Sequence, residues 1–149
     1  MTAEKVKLLH SVPRANLESV LKEGLKASSS FDDFGLEMRR GVIYCWLHPE
    51  DDKMWGKNPD YAYLEVTVEP SRCRVAEMDF ASIALMYLQG QNGKPKNPEA
   101  VALLAKLYEV TSVSLSEYRE GILWTPEVLV KGDISPQDIA LITKRDVGE

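Results

Sequence analysis

The sequence predicts an α+β fold, because segments with the period of a β-strand and segments with the period of an α-helix occupy separate parts of the chain. Residues 61–68 alternate between apolar and polar side chains, as a strand with one buried face does. Residues 41–47 form a nearly continuous apolar and aromatic run, which is typical of a strand covered on both faces. Apolar residues at helical spacing occur near the N-terminus and again in two later segments.

The N-terminal unit is predicted to be a short strand that ends at His10, followed by a helix over residues 16–25. Pro13 is tolerated before the first helical turn, and Gly24 supplies the stop signal. Residues 28–40 mix small, acidic and basic side chains without a sustained period. We therefore expect a long loop there, of the kind that often carries function.

Two helices form an insert in the second half of the chain. Asp79 can cap the first, and Asn97, followed by Pro98, can start the second. Residues 90–98 between them are a loop too short to separate domains. The remaining β elements are strands predicted over residues 72–76, 122–124, 127–130 and 139–143, with a turn at residues 135–138.

The composition indicates a single domain over residues 1–149, since 44% hydrophobic and 28% charged residues suit one buried core. A net charge of -5, with basic side chains scattered among acidic ones, argues against a large nonspecific nucleic-acid surface. A small, specific contact with nucleic acid stays open. The run of roughly 18 apolar residues needed to span a bilayer does not occur, and neither does a signal-peptide pattern, so we expect a cytoplasmic protein without membrane contact.

The cysteines and the clustered acidic residues are not spaced as metal ligands are. Cys45 and Cys73 lie in predicted strands without CxxC spacing or clustered histidines, so we expect buried reduced thiols and no metal. Asp32, Asp33 and the acidic residues 50–52 lack the spacing of a calcium loop and are interpreted as a solvated surface.

Three side chains stand out because each lies on a predicted strand and can do chemistry. His10 ends the first strand, Tyr44 lies at the centre of the apolar strand, and Glu127 heads a late apolar run. Each also has an ordinary interpretation, as a hydrogen-bonded structural histidine, a core tyrosine and an edge-strand charge beside Pro126. Trp55, in a polar loop, can be a lid over the core.

Four stretches of the sequence resemble, in order, the successive elements of the ADP-ribosyltransferase fold. They are LLHSVPRANLESVLKEGL, GVIYCWLHPE, AYLEVTVEP with RCRVAEMDF, and TPEVLVKGDISPQDI. The resemblance is to the His-Tyr-Glu class typified by diphtheria toxin and the poly(ADP-ribose) polymerases, and it covers most of the chain. It implies two packed antiparallel sheets that form a split NAD-binding cleft, with an N-terminal helix and a helical pair before the last strands.

The resemblance also implies roles for individual residues, with NAD as the substrate. His10 and Ser11 would contact the ribose and carboxamide, Tyr44 would stack on nicotinamide with Trp55 as a second stacking aromatic, and Glu127 would be the catalytic carboxylate. Physical chemistry agrees, because nicotinamide is a cationic ring and its departure leaves an oxocarbenium-like ribose. An aromatic face attracts such a cation by about 1–2 kcal/mol when desolvated. A carboxylate that takes a proton contributes roughly 10²–10⁴-fold.

Two departures from the family pattern bear on function. The histidine is followed by Ser11 and Val12, where the family commonly has glycine and then serine or threonine, so NAD affinity is in question. Thr125 stands where the arginine-modifying branch has an acid or glutamine, which makes arginine a poor acceptor. The chain also lacks the scattered arginines of the related RNA 2′-phosphotransferases.

The function expected on this resemblance is a mono-ADP-ribosyltransferase that cleaves the nicotinamide bond of NAD and transfers ADP-ribose to an unidentified macromolecular or small-molecule acceptor. The alternative is a non-catalytic module that binds a nucleotide or a protein on the same fold. A toxin-like member would also have an antitoxin-like protein partner. Arg39 and Arg40 either contact the NAD diphosphate from their loop or are solvated, and the solvated interpretation is favoured.

Overall fold

The computed structural model describes residues 4–28, 34–52, 54–89 and 97–143. Two antiparallel sheets pack on each other in this part of the chain, with a short N-terminal helix and a helical pair, which confirms the α+β class. The three-stranded sheet has the order β1 (Val6–Pro13), β3 (Tyr61–Val68) and β7 (Ile139–Leu141). The four-stranded sheet has the order β2 (Val42–Cys45), β6 (Pro126–Lys131), β4 (Cys73–Glu77) and β5 (Val113–Ser114). The helices are α1 (Leu17–Glu23), α2 (Met78–Gln89) and α3 (Pro98–Thr111).

The main core lies between the two sheets. Leu8 and Val66 from the three-stranded sheet meet Val75 and Val128 from the four-stranded sheet, and all four are buried. The alternation predicted for residues 61–68 is confirmed on its apolar face, which this core covers. Because side chains along a strand alternate between faces, one apolar stripe per strand is enough to join the sheets.

The opposite face of the four-stranded sheet is also buried. Ala76 and Leu129 on this face pack with Ala81 of α2 and Tyr108 of α3. A sheet covered on both faces requires apolar side chains at successive positions, which explains the continuous run around Tyr44.

The two sheets are joined where β2 ends. Trp46 leaves the ladder with β6 and exchanges two backbone hydrogen bonds with Leu9 of β1, at 2.9 and 2.8 Å. This bridge shortens β2 relative to the strand predicted over residues 41–47. It also brings the first strand, which carries His10, beside the strand that carries Tyr44.

Local sequence signals predicted the start of α3 and the residue that ends α1. Asn97 caps α3 as predicted, since its Oδ1 accepts a hydrogen bond from the Ala100 amide at 3.0 Å. Gly24, at φ 89°, ends α1 one residue before Leu25 pairs with Ile134. The helix is therefore shorter than the predicted 16–25.

Other expectations were wrong in detail. Residues 122–124 are bends rather than a strand, and the two-residue β5 was not predicted. The first strand continues through Pro13, and α2 begins at Met78, so Asp79 lies inside the helix instead of capping it. Most of the predicted loop at residues 90–98 lies outside the described residues, as do residues 29–33, which include Asp32 and Asp33.

The two cysteines are buried and are not joined in a disulfide. Burial raises the pKa of the Cys45 thiol, and it raises the pKa of the Cys73 thiol to about 11. Both are therefore protonated at neutral pH, as expected for buried thiols. Among the described residues, the helices are too short or too polar to cross a membrane.

Gly24→Ala should destabilise the fold more than the same change at Gly121, which has nearly the same φ of 90°. At Gly24 the added methyl would collide with the Ile134 carbonyl oxygen, whereas nothing lies within 4 Å of it at Gly121. We expect a loss of about 2–4 kcal/mol at Gly24, against about 1 kcal/mol at Gly121 from backbone strain alone. Urea unfolding of both variants measures the difference, and equal losses would contradict the close approach.

Candidate functional site

Tyr44 and Glu127 lie on the same face of the four-stranded sheet. In the antiparallel pairing of β2 with β6, Tyr44 is opposite Leu129, two residues from Glu127. Since residues two apart on a strand share a face, both side chains point toward the layer that contains α3. The predicted aromatic and the predicted carboxylate are therefore brought to one place.

The guanidinium of Arg39 lies between these two side chains. Its Nη1 donates to Glu127 Oε2 at 3.1 Å and to the Tyr108 hydroxyl oxygen at 2.8 Å. Its Cζ is 4.9 Å from the ring centroid of Tyr44, 5.0 Å from that of Tyr108 and 5.2 Å from that of Phe34. We call Phe34, Tyr44, Tyr108 and Glu127 the cation cage.

The charged pair and Tyr108 are buried, whereas Phe34 and Tyr44 are partly buried, and the charges are matched. Arg39 is 5% exposed, Glu127 6% and Tyr108 0%. Tyr108 donates its hydroxyl proton to Glu127 Oε2 at 2.7 Å, so this oxygen accepts two hydrogen bonds. Burial works against the charge on Arg39, but Tyr108, Glu127 and Tyr44 outweigh it and raise the pKa of Arg39. Burial and the nearby Glu127 raise the pKa of Tyr108, which keeps the phenol a donor at neutral pH.

His10 contacts the strand of Tyr44 rather than its ring. Its Nδ1 lies 2.6 Å from the Tyr44 carbonyl oxygen, and because a carbonyl only accepts, Nδ1 carries the proton. Burial lowers the pKa of His10, and the hydrogen bond to Tyr44 offsets this in part. The imidazole is therefore predominantly neutral at neutral pH, with Nε2 as its acceptor nitrogen.

Ser11 and Trp55 lie toward the three-stranded sheet. Ser11 pairs with Tyr63 of β3, and the buried ring of Trp55 contacts the Tyr63 ring at a centroid distance of 4.5 Å. This contact buries Tyr63, although alternation predicts a half-exposed position for it. The structure thus groups Tyr44 with Glu127, links His10 to them through the backbone, and places the Trp55 ring against Tyr63.

Sequence reasoning missed Arg39 and Tyr108. The interpretation of Arg39 and Arg40 as solvated side chains is wrong for Arg39, which is buried. It agrees with the structure for Arg40, which is exposed. Tyr108 lies in the helix that Asn97 and Pro98 start, and the sequence pattern assigned it no role in the site. A tyrosine at a core position needs a partner for its hydroxyl, which was a signal that a polar group lies inside.

Glu77 was also missed, and it supports the backbone that leads to Glu127. Its buried carboxylate accepts hydrogen bonds from the amides of Trp124 at 2.7 Å and Thr125 at 2.9 Å. The bend before β6 is fixed by these bonds, and it leaves the Trp124 side chain 86% exposed. Glu77 therefore sets where β6 begins.

A cavity of about 340 Å³ lies at this end of β6 and is within the size range of small-ligand sites. Asp51, in its lining, accepts a hydrogen bond from the His48 amide at 3.2 Å, and the Nε2 of His48 lies 2.5 Å from Glu120 Oε1. The hydrogen bond to Glu120 raises the pKa of His48, although partial burial opposes the shift. Within the described ranges, no three His, Cys, Asp or Glu side chains cluster as metal ligands would. The cavity is lined by Trp46, Asp51, Asp52, Met78, Asp79 and Thr125.

No family model, curated protein or solved structure matches this chain. A functional conclusion therefore depends on the chemistry of the side chains that the fold brings together.

Tyr108→Phe should destabilise the protein by about 1–3 kcal/mol, because it removes both a donor to Glu127 and an acceptor for Arg39 in a buried site. Tyr61→Phe, at a tyrosine 39% exposed, is the matched control and should stay within about 0.5 kcal/mol. Urea unfolding followed by circular dichroism measures both. If the two variants unfold at the same urea concentration, the hydroxyl of Tyr108 contributes no net stability.

The two histidines should titrate on opposite sides of the ordinary value of about 6.5. The pKa of His10 is lowered, so the unfolded chain binds this proton more readily and stability falls as the pH drops below about 6.5. The pKa of His48 is raised, so its contribution is present below about 6.5 and is lost as the pH rises through its folded value. Proton NMR of the two imidazoles, assigned with His48→Gln, tests this, and a His10 pKa above 6.5 would contradict it.

Proposed function

We propose that this protein is an NAD-dependent mono-ADP-ribosyltransferase with an ADP-ribosyltransferase-like fold of the His-Tyr-Glu class. The observation that carries the proposal is the cation cage, in which Tyr44 and Glu127 surround a planar, delocalised cation, the guanidinium of Arg39. Nicotinamide in NAD is also a planar cation. Aromatic faces and a carboxylate attract both by the same electrostatic interactions.

The chemistry assigned to the cage is cleavage of the bond between nicotinamide and ribose. Neutral nicotinamide leaves with the electron pair of that bond, and positive charge develops on the ribose. The Glu127 carboxylate accepts a hydrogen bond from the ribose 2′-hydroxyl and stabilises this charge. An acceptor nucleophile then bonds to the ribose carbon, and its proton passes to Glu127.

His10 is assigned to the ribose. Its Nδ1 proton is engaged by the Tyr44 carbonyl, so Nε2 acts toward a ribose hydroxyl as an acceptor. A neutral imidazole held by the backbone orients the sugar without adding a positive charge near the developing cation. A role for Ser11 toward the carboxamide stays a prediction, because the side chain of Ser11, the next residue on β1, lies on the opposite face of the strand from that of His10.

Aromatic contacts with nicotinamide are assigned to Tyr44 in the first place. Phe34 and Tyr108 complete the cage around the same point. A stacking role for Trp55 stays a prediction, because its ring contacts Tyr63.

The alternative, a non-catalytic module that binds a nucleotide or a protein, is favoured by one observation. Arg39 neutralises Glu127 with a direct hydrogen bond at 3.1 Å. A carboxylate held permanently in this pair would stabilise the fold instead of acting on a sugar. Only a measurement of NAD turnover separates the enzyme from the binding module.

Glu127→Gln should lower the rate of nicotinamide release from NAD by roughly 10²–10⁴-fold, because glutamine keeps the shape but cannot take a proton. The control is Glu117→Gln, at an exposed glutamate in the 3-10 turn Leu115–Glu117, which precedes the loop that leads to β6. This variant should leave the rate unchanged. Chromatographic detection of nicotinamide measures the rate, and thermal unfolding confirms that both variants are folded.

The outcomes distinguish the proposals. If wild type releases no nicotinamide while saturating NAD raises its unfolding temperature, the binding module replaces the enzyme. If NAD neither reacts nor stabilises the protein, both proposals fail.

A further inference from the structure

We propose that Arg39 is an internal competitor for the cation that the cation cage binds, so that its guanidinium must leave before nicotinamide can enter. This inference rests on the proposed function and specifies how the same site is regulated. The observation behind it is that the cage is already filled: Arg39 contacts all three of its rings and its carboxylate.

A guanidinium and a nicotinamide ring compete because both need the same surroundings. Both are flat and carry a spread positive charge, which the negative faces of aromatic rings attract. Cζ of Arg39 lies close to 5 Å from the centroids of Tyr44 and Tyr108, which leaves no room for a second ring between them. Two cations in one buried site would also repel each other strongly.

We call residues 34–41, the segment that carries Arg39, the strap. It also carries Phe34 of the cage, and its Leu36 and Met38 pack against the helix side of the four-stranded sheet. A single 3-10 turn, Glu37–Arg39, lies between Gly35 at φ 77° and Gly41 at φ 62°. Glycine adopts such angles without strain, so each end can change direction when the strap moves.

At its C-terminal end the strap is attached to the end of β6 and to the residue that follows it. Lys131 Nζ donates to the Arg40 carbonyl oxygen at 2.7 Å, and the Gly132 amide donates to the Gly41 carbonyl oxygen at 3.0 Å. Glu37 and Arg40 point outward and are exposed, whereas Arg39 is buried. Moving Arg39 out of the cage therefore leaves the attachment at Gly41 in place.

Occupation by Arg39 has a quantitative consequence for ligand affinity. The apparent dissociation constant of a ligand equals its intrinsic value divided by the fraction of molecules whose site is open. Removing the guanidinium should raise that fraction, so the cage should bind an external cation more tightly. If Arg39 were purely structural, its removal would lower stability without any gain in affinity, because its loss leaves Glu127 buried without its charge partner.

The test uses the full chain and 1-methylnicotinamide, which has the cationic ring of NAD without its ribose. Arg39→Met removes the charge and keeps an unbranched side chain, and Arg39→Gln also retains a donor for Glu127 in case the first variant does not fold. Isothermal titration calorimetry should show that both bind 1-methylnicotinamide and NAD on the order of tenfold more tightly than wild type. Arg40→Met, at the exposed neighbour on the same turn, should bind both ligands as wild type does.

A combined loss of stability and gain of affinity is the expected signature. Urea unfolding should show that the Arg39 variants are less stable than wild type, although they bind the cation better. If wild type releases nicotinamide but folded Arg39→Gln binds 1-methylnicotinamide no more tightly than wild type, the competitor role is wrong and the proposed function stands. If wild type and both variants neither bind nor cleave NAD, the proposed function itself fails.

Discussion

The ion pair between Arg39 and Glu127 is the interaction on which the rest of the site depends. Moving two charges out of water is costly. Their mutual attraction offsets this desolvation penalty only when the remaining polar atoms also have hydrogen-bond partners. Here the Tyr108 hydroxyl bridges the pair, and three aromatic faces surround the guanidinium. The pair therefore requires α3, β2 and the loop before β2 to be in place together.

The four-stranded sheet connects this pair to the stability of the whole domain. Successive residues of β6 face opposite ways, so Val128 and Val130 fill the core between the sheets while Glu127 lies on the helix side. Because the strand is packed on both faces, Glu127 has little freedom to move. A rigid carboxylate beside a displaceable side chain is the arrangement expected where one partner must be exchanged for a ligand.

Several contacts outside the cage determine its geometry. Glu77 holds the bend that starts β6, and His10 and Leu9 hold β1 against the end of β2. The contacts of His10 and Leu9 join the two sheets at the end of the strand that carries Tyr44, whereas those of Glu77 lie at the start of the strand that carries Glu127. A buried ion pair adds little net stability compared with well-packed apolar residues, but removing one partner is strongly destabilising because the other charge stays buried and unpaired.

The sequence alone determined the features that depend on neighbouring residues. The alternation in residues 61–68 predicted β3 and its buried face, Asn97 before Pro98 marked the start of α3, and Gly24 marked the end of α1. His10, Tyr44 and Glu127 were singled out because each lies on a strand, and strands are recognisable locally.

Only the tertiary structure decided which side chains meet. Arg39 is 69 residues from Tyr108 and 88 from Glu127, so no local pattern could show that a charge in a polar loop is buried between them. The same holds for Trp55, which packs on Tyr63, and for residues 122–124, where the amide of Trp124 bonds to the Glu77 carboxylate instead of to a neighbouring strand. Periodicity indicates which face of an element is apolar. The partner of a buried charge is set by the packing of distant elements, because burying a charge is costly unless packing brings a partner to it.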